Sequence, residues 1–243
     1  GTNNVALGNL ALDDPSLTGG YNTAIGTSAL TANTTGGGNT AVGESALNAN
    51  TTGGQNTAVG VSAMSGGGGV SSYNTAIGRL ALACLTLAGN TFNTAVGNTA
   101  LYLTTTGTRN TALGEASLTA NTTGTQNTAV GSNALDANDT GNANTAIGYL
   151  SLSANTSACN NTAVGHNSLG ANSTGAQNTA VGTNALNANT TANGNTAVGN
   201  TSLDANTTGT QNTALGYNSL TTNTTASFNT AVGSSALQLN TTG

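Results

Sequence analysis

Residues 22–38 read N-T-A-I-G-T-S-A-L-T-A-N-T-T-G-G-G, and closely related stretches of about 17 residues fill the rest of the 243-residue chain. Counted from the first Asn of each stretch, position 2 is Thr, position 4 is Val, Ile or Leu, position 5 is Gly and position 9 is Leu. Val5 at position 2 and Met64 at position 9 are the exceptions. The sequence therefore predicts one repeat array over residues 1–243 with no internal domain boundary. Its fourteen repeats start at Asn4, Asn22, Asn39, Asn56, Asn74, Asn93, Asn110, Asn127, Asn144, Asn161, Asn178, Asn195, Asn212 and Asn229.

The repeat length predicts the fold. Seventeen residues are too few for the helix pairs of common helical repeats, and Asn, Gly and Thr are poor helix formers. A stretch of this length suits one coil of a parallel β-solenoid, in which each coil lays its strand on the strand of the coil before. We therefore expect an all-β chain that forms a β-roll-like parallel solenoid of about fourteen 17-residue coils.

The pattern within a coil predicts which side chains face inward. Positions 4 and 9 are apolar in every repeat, so burial of apolar area favours placing both inside. Strand alternation then puts position 2 inside with position 4, and position 3 outside. Position 3 is Ala in all fourteen repeats, which indicates close approach of another chain to an outward row. Position 10 varies freely and is expected to be exposed.

Length changes mark the tolerant part of the coil. All of them lie between position 9 and the next Asn, including the glycine-rich residues 65–73 and the extended residues 83–92. This arc is therefore predicted to be a turn or loop that accepts insertions. The Gly at position 5 is predicted to end the first strand with a backbone geometry that a Cβ would strain.

The composition excludes several classes of function. Only 4% of the residues are charged, and Arg79 and Arg109 are the only basic ones, so there is no basic patch for nucleic acid or anionic lipid. No apolar run approaches the roughly 18 residues of a membrane helix. With one His and scattered acids, the sequence predicts no enzyme, no catalytic residue, no cofactor and no metal site. His166 is expected to be solvated, and Cys84 and Cys159 to be free thiols.

Position 12 carries a column of asparagines. Each is followed by x-Ser or x-Thr, the acceptor pattern for N-glycosylation, which Asn160 and Asn200 match outside the column. The insertion-tolerant arc favours an outward, glycan-bearing column, with O-linked sugars on the adjacent threonines as a variant. The structural alternative is an internal Asn ladder or Asx turn, which is also expected for the Asn at position 1. The column comprises Asn33, Asn50, Asn121, Asn138, Asn155, Asn172, Asn189, Asn206, Asn223 and Asn240.

The strand motif resembles a known family. N-V-A-L-G at residues 4–8, N-T-A-I-G at residues 22–26 and their copies resemble the S-V-A-I-G type motif in the heads of YadA-like trimeric autotransporter adhesins. The repeats are also similar to those in shafts of phage-like tail fibres. The resemblance covers about five residues of every 17. It implies the inner strand of a left-handed parallel β-roll in which three chains associate, and it carries over no binding residue.

These observations favour a structural protein at a cell or virion surface. We expect a shaft segment of an extracellular fibre or filament whose partners are other copies of itself, joined end to end or laterally, with three chains by the resemblance. Because the sequence opens directly into a repeat and closes inside one, we expect either a piece of a longer fibre or copies that stack end to end. The alternative is an adhesin-type module that recognises a surface glycan or protein. Ice binding ranks third, because an inward Thr row leaves no flat outward array of hydroxyls.

Overall fold

The computed structural model describes residues 2–66 and 69–242, and none of them is in a helix. Gly67 and Gly68, within the predicted loop at 65–73, and the terminal Gly1 and Gly243 lie outside the described residues. The chain divides into two compact units, Gly1–Thr125 and Gln126–Gly243. The same repeat fills both units, and a single array over residues 1–243 stays a prediction.

The first unit contains seven three-residue strands that pair in parallel, each with the strand of the next coil. A separate parallel pair, β5 with β7, forms in the coils that carry the insertions. The strands are β1 (Val5–Leu7), β2 (Thr23–Ile25), β3 (Thr40–Val42), β4 (Thr57–Val59), β5 (Ser71–Ser72), β6 (Thr75–Ile77), β7 (Gly89–Asn90), β8 (Thr94–Val96) and β9 (Thr111–Leu113).

The second unit repeats the arrangement without the additional pair. Its seven strands also pair in parallel and in register, so that Ala146 of one coil stands opposite Ala163 of the next. They are β10 (Thr128–Val130), β11 (Thr145–Ile147), β12 (Thr162–Val164), β13 (Thr179–Val181), β14 (Thr196–Val198), β15 (Thr213–Leu215) and β16 (Thr230–Val232). The predicted all-β parallel solenoid with coils of about 17 residues is confirmed.

Each coil encloses a narrow core. The Leu row at position 9 is completely buried through most of both units, as at Leu101 and Leu186, which are 0% exposed. The small residue at position 8 is buried beside it, and where it is Ser its hydroxyl donates to the carbonyl of the position-5 Gly, as from Ser151 to Gly148 at 2.9 Å. Asparagines at positions 1 and 12 fill the remainder of the interior.

The predicted orientation of the strand is wrong. The Ala at position 3 faces inward, with Ala24 and Ala146 both 0% exposed, whereas Ile147 at position 4 is 40% exposed. Because the leucines and asparagines already fill the coil, only a methyl group fits beneath the strand. An outward Ala row that contacts another chain is therefore excluded. Position 10 was also placed wrongly: its side chains are mostly half-buried, as at Asp136.

The glycine at position 5 is required by the close approach of successive coils. At Gly43 the backbone has a φ of +130°, and a Cβ would lie 2.6 Å from the carbonyl oxygen of Gly60 in the next coil. The predicted strain is confirmed, because L residues rarely adopt this conformation and the contact is with backbone. The backbone of the leucines at position 9 also lies in the left-handed region, with a φ of +52° at Leu101. This conformation costs about 1–2 kcal/mol for a non-glycine residue. Their complete burial offsets that cost.

Candidate functional site

The outward side of the strands carries an unusual surface in each unit. We define the Thr/Val face of a unit as the side chains at positions 2 and 4 of its three-residue strands, which alternate with the inward Ala. The branched apolar side chains at position 4 are considerably exposed for a β-sheet, by 48% at Leu113, 40% at Ile147 and 45% at Leu215. Parallel in-register pairing places each row at intervals of about 4.8 Å.

The hydroxyls of this face are directed away from the hydrogen bonds of the coil. Among the described residues, the threonines at position 2, such as Thr145 and Thr179, make no side-chain hydrogen bond. The threonines at position 13 behave differently, because their hydroxyls donate to the next coil's backbone, as from Thr34 to the Thr51 carbonyl at 3.1 Å. The Thr/Val face therefore presents donors, acceptors and methyl groups to whatever lies outside the chain.

Asparagines at position 1 form a buried ladder, as predicted. The Asn178 side chain donates from Nδ2 to the Ala192 carbonyl at 2.8 Å, and its Oδ1 accepts from the backbone N–H of Asn195 at 2.9 Å. The same two bonds recur in the first unit, where Asn39 donates to Gly53 and accepts from Asn56. One side-chain amide thus makes a hydrogen bond within its own coil and a second hydrogen bond to the backbone of the next coil.

Asparagines at position 12 form a second buried ladder, which is the structural alternative predicted for this column, and the outward, glycan-bearing alternative is wrong for the folded coil. Nδ2 of Asn172 donates to the Gly175 carbonyl at 2.9 Å and to Oδ1 of Asn155 at 3.2 Å. This nitrogen is the atom that an N-linked sugar would occupy, and in the folded coil it lies inside. Asn240 is half-buried, whereas the matching Asn160 and Asn200 outside the column are exposed. The buried members are Asn33, Asn50, Asn121, Asn138, Asn155, Asn172, Asn189, Asn206 and Asn223.

The last residue of a coil, directly before the Asn of the next one and at position 17 in a 17-residue coil, has a large exposed side chain in several coils. Tyr73 and Phe92 occupy it in successive coils, and their rings stack with centroids 5.3 Å apart and planes inclined by 22°. Each ring is 46% exposed. Arg109 follows in the next coil, with its backbone N–H donating to the Thr91 carbonyl at 2.9 Å. This group combines the rings with one of the only two cations of the chain.

The other chemistry-bearing residues are dispersed. His166 is exposed, as expected, and stacks on Tyr149 with ring centroids 5.7 Å apart. Cys84 and Cys159 are free and half-buried, and burial raises the pKa of the Cys84 thiol. In residues 2–66 and 69–242 no three His, Cys, Asp or Glu side chains converge as a metal site would require, and no helix is long and apolar enough to cross a membrane.

Two aspartates at position 10 are perturbed by their surroundings. Burial raises the pKa of Asp136 and of Asp204, and one carboxylate oxygen of each is buried without a hydrogen-bond partner among the described residues. Asp14 shows the opposite effect, because hydrogen bonds from the Ser16 hydroxyl and backbone N–H lower its pKa.

Comparisons of the chain with protein-family models, with curated proteins and with solved structures give no match. The resemblance of the strand motif to YadA-like heads and tail-fibre shafts therefore stays a prediction. Sequence reasoning missed the Thr/Val face, which repeats in every coil of each unit. The feature that indicates it is the contrast between position 3, which accepts only Ala, and position 4, which accepts Val, Ile or Leu. A tightly enclosed site restricts size more than an open one does.

Proposed function

We propose that the chain is a structural segment of an extracellular fibre at a cell or virion surface, in which copies associate laterally through the Thr/Val face. The observation that carries this proposal is the long outward row of branched apolar side chains at position 4, in which exposed members such as Ile77, Leu113 and Leu215 lie among half-buried valines. Soluble monomers rarely expose a contiguous apolar patch of this kind, and such patches mark sites of association. The resemblance of the strand motif supports three chains per fibre.

The energetics of association support the proposal. Covering each half-exposed Val, Ile or Leu contributes on the order of 1 kcal/mol. The seven side chains of one unit would together contribute on the order of 7 kcal/mol, within the range of about 4–15 kcal/mol that association costs in lost freedom. The unpartnered Thr hydroxyls add hydrogen bonds across the interface without any loss of bonds within the coil.

The test is the mass of the particle in solution, measured by sedimentation on the full chain. We expect wild-type chains to associate, and the combination of Ile147→Asp, Val181→Asp and Leu215→Asp to give folded monomers, because three charges then oppose each other in an apolar contact. A matched control adds the same charge away from the face, through Thr140→Asp, Thr174→Asp and Thr208→Asp, at three exposed residues. The control chain should still associate.

Two outcomes contradict the proposal. One is a wild-type chain that stays a 23.2 kDa monomer at every concentration, and the other is a face variant that associates as strongly as the control. Circular dichroism on each variant separates loss of association from loss of folding, because the three residues on the face are exposed and need not disturb the core.

Ice binding is a second candidate, favoured by one specific observation. The Thr row at position 2 faces outward with its hydroxyls unpartnered, as at Thr145 and Thr179, which reverses the reason for ranking ice binding low. Hydroxyls and methyl groups repeat in two directions on the face, about 4.8 Å between strands and about 6.6 Å along each strand. A regular array of this kind can order water in a lattice instead of contacting a second chain.

Ice-crystal growth in the presence of the chain distinguishes the two candidates. An ice-binding chain is a monomer that slows crystal growth, and Thr145→Tyr together with Thr179→Tyr removes the effect because the bulky rings break the flat array. Thr174→Tyr together with Thr208→Tyr, at exposed residues outside the face, is the matched control. Wild-type chains that associate and leave crystal growth unchanged would exclude ice binding and support the fibre.

A further inference from the structure

We propose that Tyr73, Phe92 and Arg109 form a binding site for an acidic sugar, a pyranose that carries a carboxylate. The site uses none of the residues of the Thr/Val face, and it goes beyond a structural role. The juxtaposition that carries it is a stacked pair of exposed aromatic rings followed, one coil later, by an exposed guanidinium.

The rings are held in place by structure that the other described coils lack. Tyr73 directly follows β5 and Phe92 lies two residues after β7, and these two strands form the only second parallel pair in the described part of the first unit. Below the rings, Thr91 is completely buried and its hydroxyl donates to Oδ1 of Asn74 at 2.6 Å. A platform that is already rigid loses little conformational entropy when a ligand binds.

The backbone at this site favours small residues, yet large ones are present. The φ angles of Tyr73, Phe92 and Arg109 are +63°, +53° and +58°, in the left-handed region where a non-glycine residue costs about 1 kcal/mol or more. Gly38 and Gly194 occupy the equivalent position in other coils, so glycine is compatible with the fold there. The stacking of Tyr73 on Phe92 offsets this conformational cost only in part, because each ring is 46% exposed, and the Arg109 side chain is also exposed.

The chemistry of the three groups fits an acidic sugar. The C–H face of a pyranose packs on an aromatic ring, and Phe92 offers this contact beside Tyr73. A guanidinium pairs with a carboxylate through two parallel hydrogen bonds, and Arg109 has no such partner among the described residues. In a chain of net charge −5, a local cation beside exposed rings selects a carboxylate at this place.

The test is titration of the full chain with tri-galacturonic acid, followed by saturation-transfer NMR and calorimetry. We expect saturable binding that Phe92→Ala weakens by about tenfold or more, since it removes both the stacked pair and its contact with the sugar. Arg109→Gln should abolish the preference for the acid over its neutral methyl ester while leaving weak binding of both. Phe228→Ala is the matched control, because Phe228 occupies the same position with φ of +64° and is 76% exposed without a stacked partner.

Three results would overturn the proposal. They are absence of saturable binding, binding that is unchanged in Phe92→Ala, and equal binding of tri-glutamate, which would indicate plain charge attraction to a peptide. All substituted residues are exposed, so unfolding does not confuse the outcome, and a circular dichroism spectrum of each variant verifies this.

Discussion

The regular coils of the second unit and the irregular coils around residues 56–109 show that the two asparagine ladders are not equivalent. In the second unit the position-12 ladder continues from Asn138 to Asn223, with each side chain bonded to the one before, as Asn189 is to Asn172 at 2.7 Å. In the irregular coils the same position holds Leu85 and Thr104, and this ladder is absent there.

The position-1 ladder continues where the other stops. The backbone N–H of Asn74 donates to Oδ1 of Asn56 at 3.0 Å, and that of Asn93 donates to Oδ1 of Asn74 at 2.9 Å, across both insertions. A small cavity of about 10 Å³, lined in part by Leu47 and Leu85, lies where the position-12 ladder ends. The position-1 ladder and the Leu row therefore define the coil, while the position-12 ladder adds stability where it is present.

The largest expected effect comes from the Leu row, which both regions share. Leu101→Asp in the irregular coils and Leu186→Asp in the regular ones should each lower the free energy of unfolding by more than about 4 kcal/mol, because each buries an unpaired charge. Thermal and urea unfolding measure the loss. Leu101→Met is the control and should cost less than about 1.5 kcal/mol. A tolerated aspartate in either region would break the claim of a shared core.

Removing an Asn of the position-1 ladder should lower the free energy of unfolding in both regions, by somewhat less than an aspartate in the Leu row does. Asn178→Ala leaves the Asn195 N–H without its partner and removes one of two donors from the Ala192 carbonyl, which still accepts from Nδ2 of Asn189 at 3.1 Å. Asn93→Ala removes the Asn93 donor from the Gly107 carbonyl. The loss of these buried hydrogen bonds costs about 2–4 kcal/mol in total. Asn200→Ala, at an exposed residue, should be nearly neutral under the same urea titration. If only one of the two variants, Asn178→Ala or Asn93→Ala, lowers the free energy of unfolding, the position-1 ladder does not stabilise the coils of the other region.

Exchanging Asn and Thr at position 12 measures what this ladder contributes to stability in each region. Asn172→Thr should cost about 1–3 kcal/mol, since the Gly175 carbonyl and Oδ1 of Asn155 lose a donor. Thr104→Asn should instead stabilise the irregular coils by about 1 kcal/mol, because the Thr104 hydroxyl is buried without a partner and the new amide can reach the Gly107 carbonyl. Differential scanning calorimetry follows both. If both substitutions lower the free energy of unfolding, the site at Thr104 is too small for an Asn side chain.

The smallest effect concerns position 10, where the regular coils hold two half-buried aspartates. Because burial raises the folded-state pKa of Asp204 above its ordinary value of 3.8, the unfolded chain loses this proton first as the pH rises. The free energy of unfolding should therefore fall as the pH rises from 3.8 to the raised folded-state pKa of Asp204. It should recover when the pH is lowered again. Asp204→Asn removes this dependence and should raise stability at pH 7 by less than about 1 kcal/mol, given solvent screening.

Unfolding of this variant at a series of pH values measures the difference. The exposed Asp13, which occupies position 10 in the first coil, provides the control variant Asp13→Asn. If Asp204→Asn follows the wild-type pH dependence throughout, the buried carboxylate is not the cause of it.

The repeat predicted the fold because a 17-residue period and a row of invariant apolar residues constrain where strands can lie. It did not predict the direction of the strand, because the apolar character of Val42 and Ile147 outweighed the size limit that fixes Ala at position 3. Inside so thin a coil, the size of a side chain determines whether it can face inward. The hydrogen-bond partners of each Asn follow only from the stacking of successive coils. The Tyr73–Phe92 stack was equally hidden, because it depends on the 18- and 19-residue spacing of their coils and on the register of β5 with β7.

Thiol reactivity on the second unit tests most directly whether position 4 faces outward and meets another chain. Cys84→Ala and Cys159→Ala first remove the native thiols, and then Ala180→Cys and Val181→Cys are made one at a time and treated with a maleimide. The account predicts that Ala180→Cys reacts only on unfolding, whereas Val181→Cys reacts quickly in dilute chains and slowly once they associate. Rapid labelling of folded Ala180→Cys, or labelling of Val181→Cys that is indifferent to association, would contradict the account.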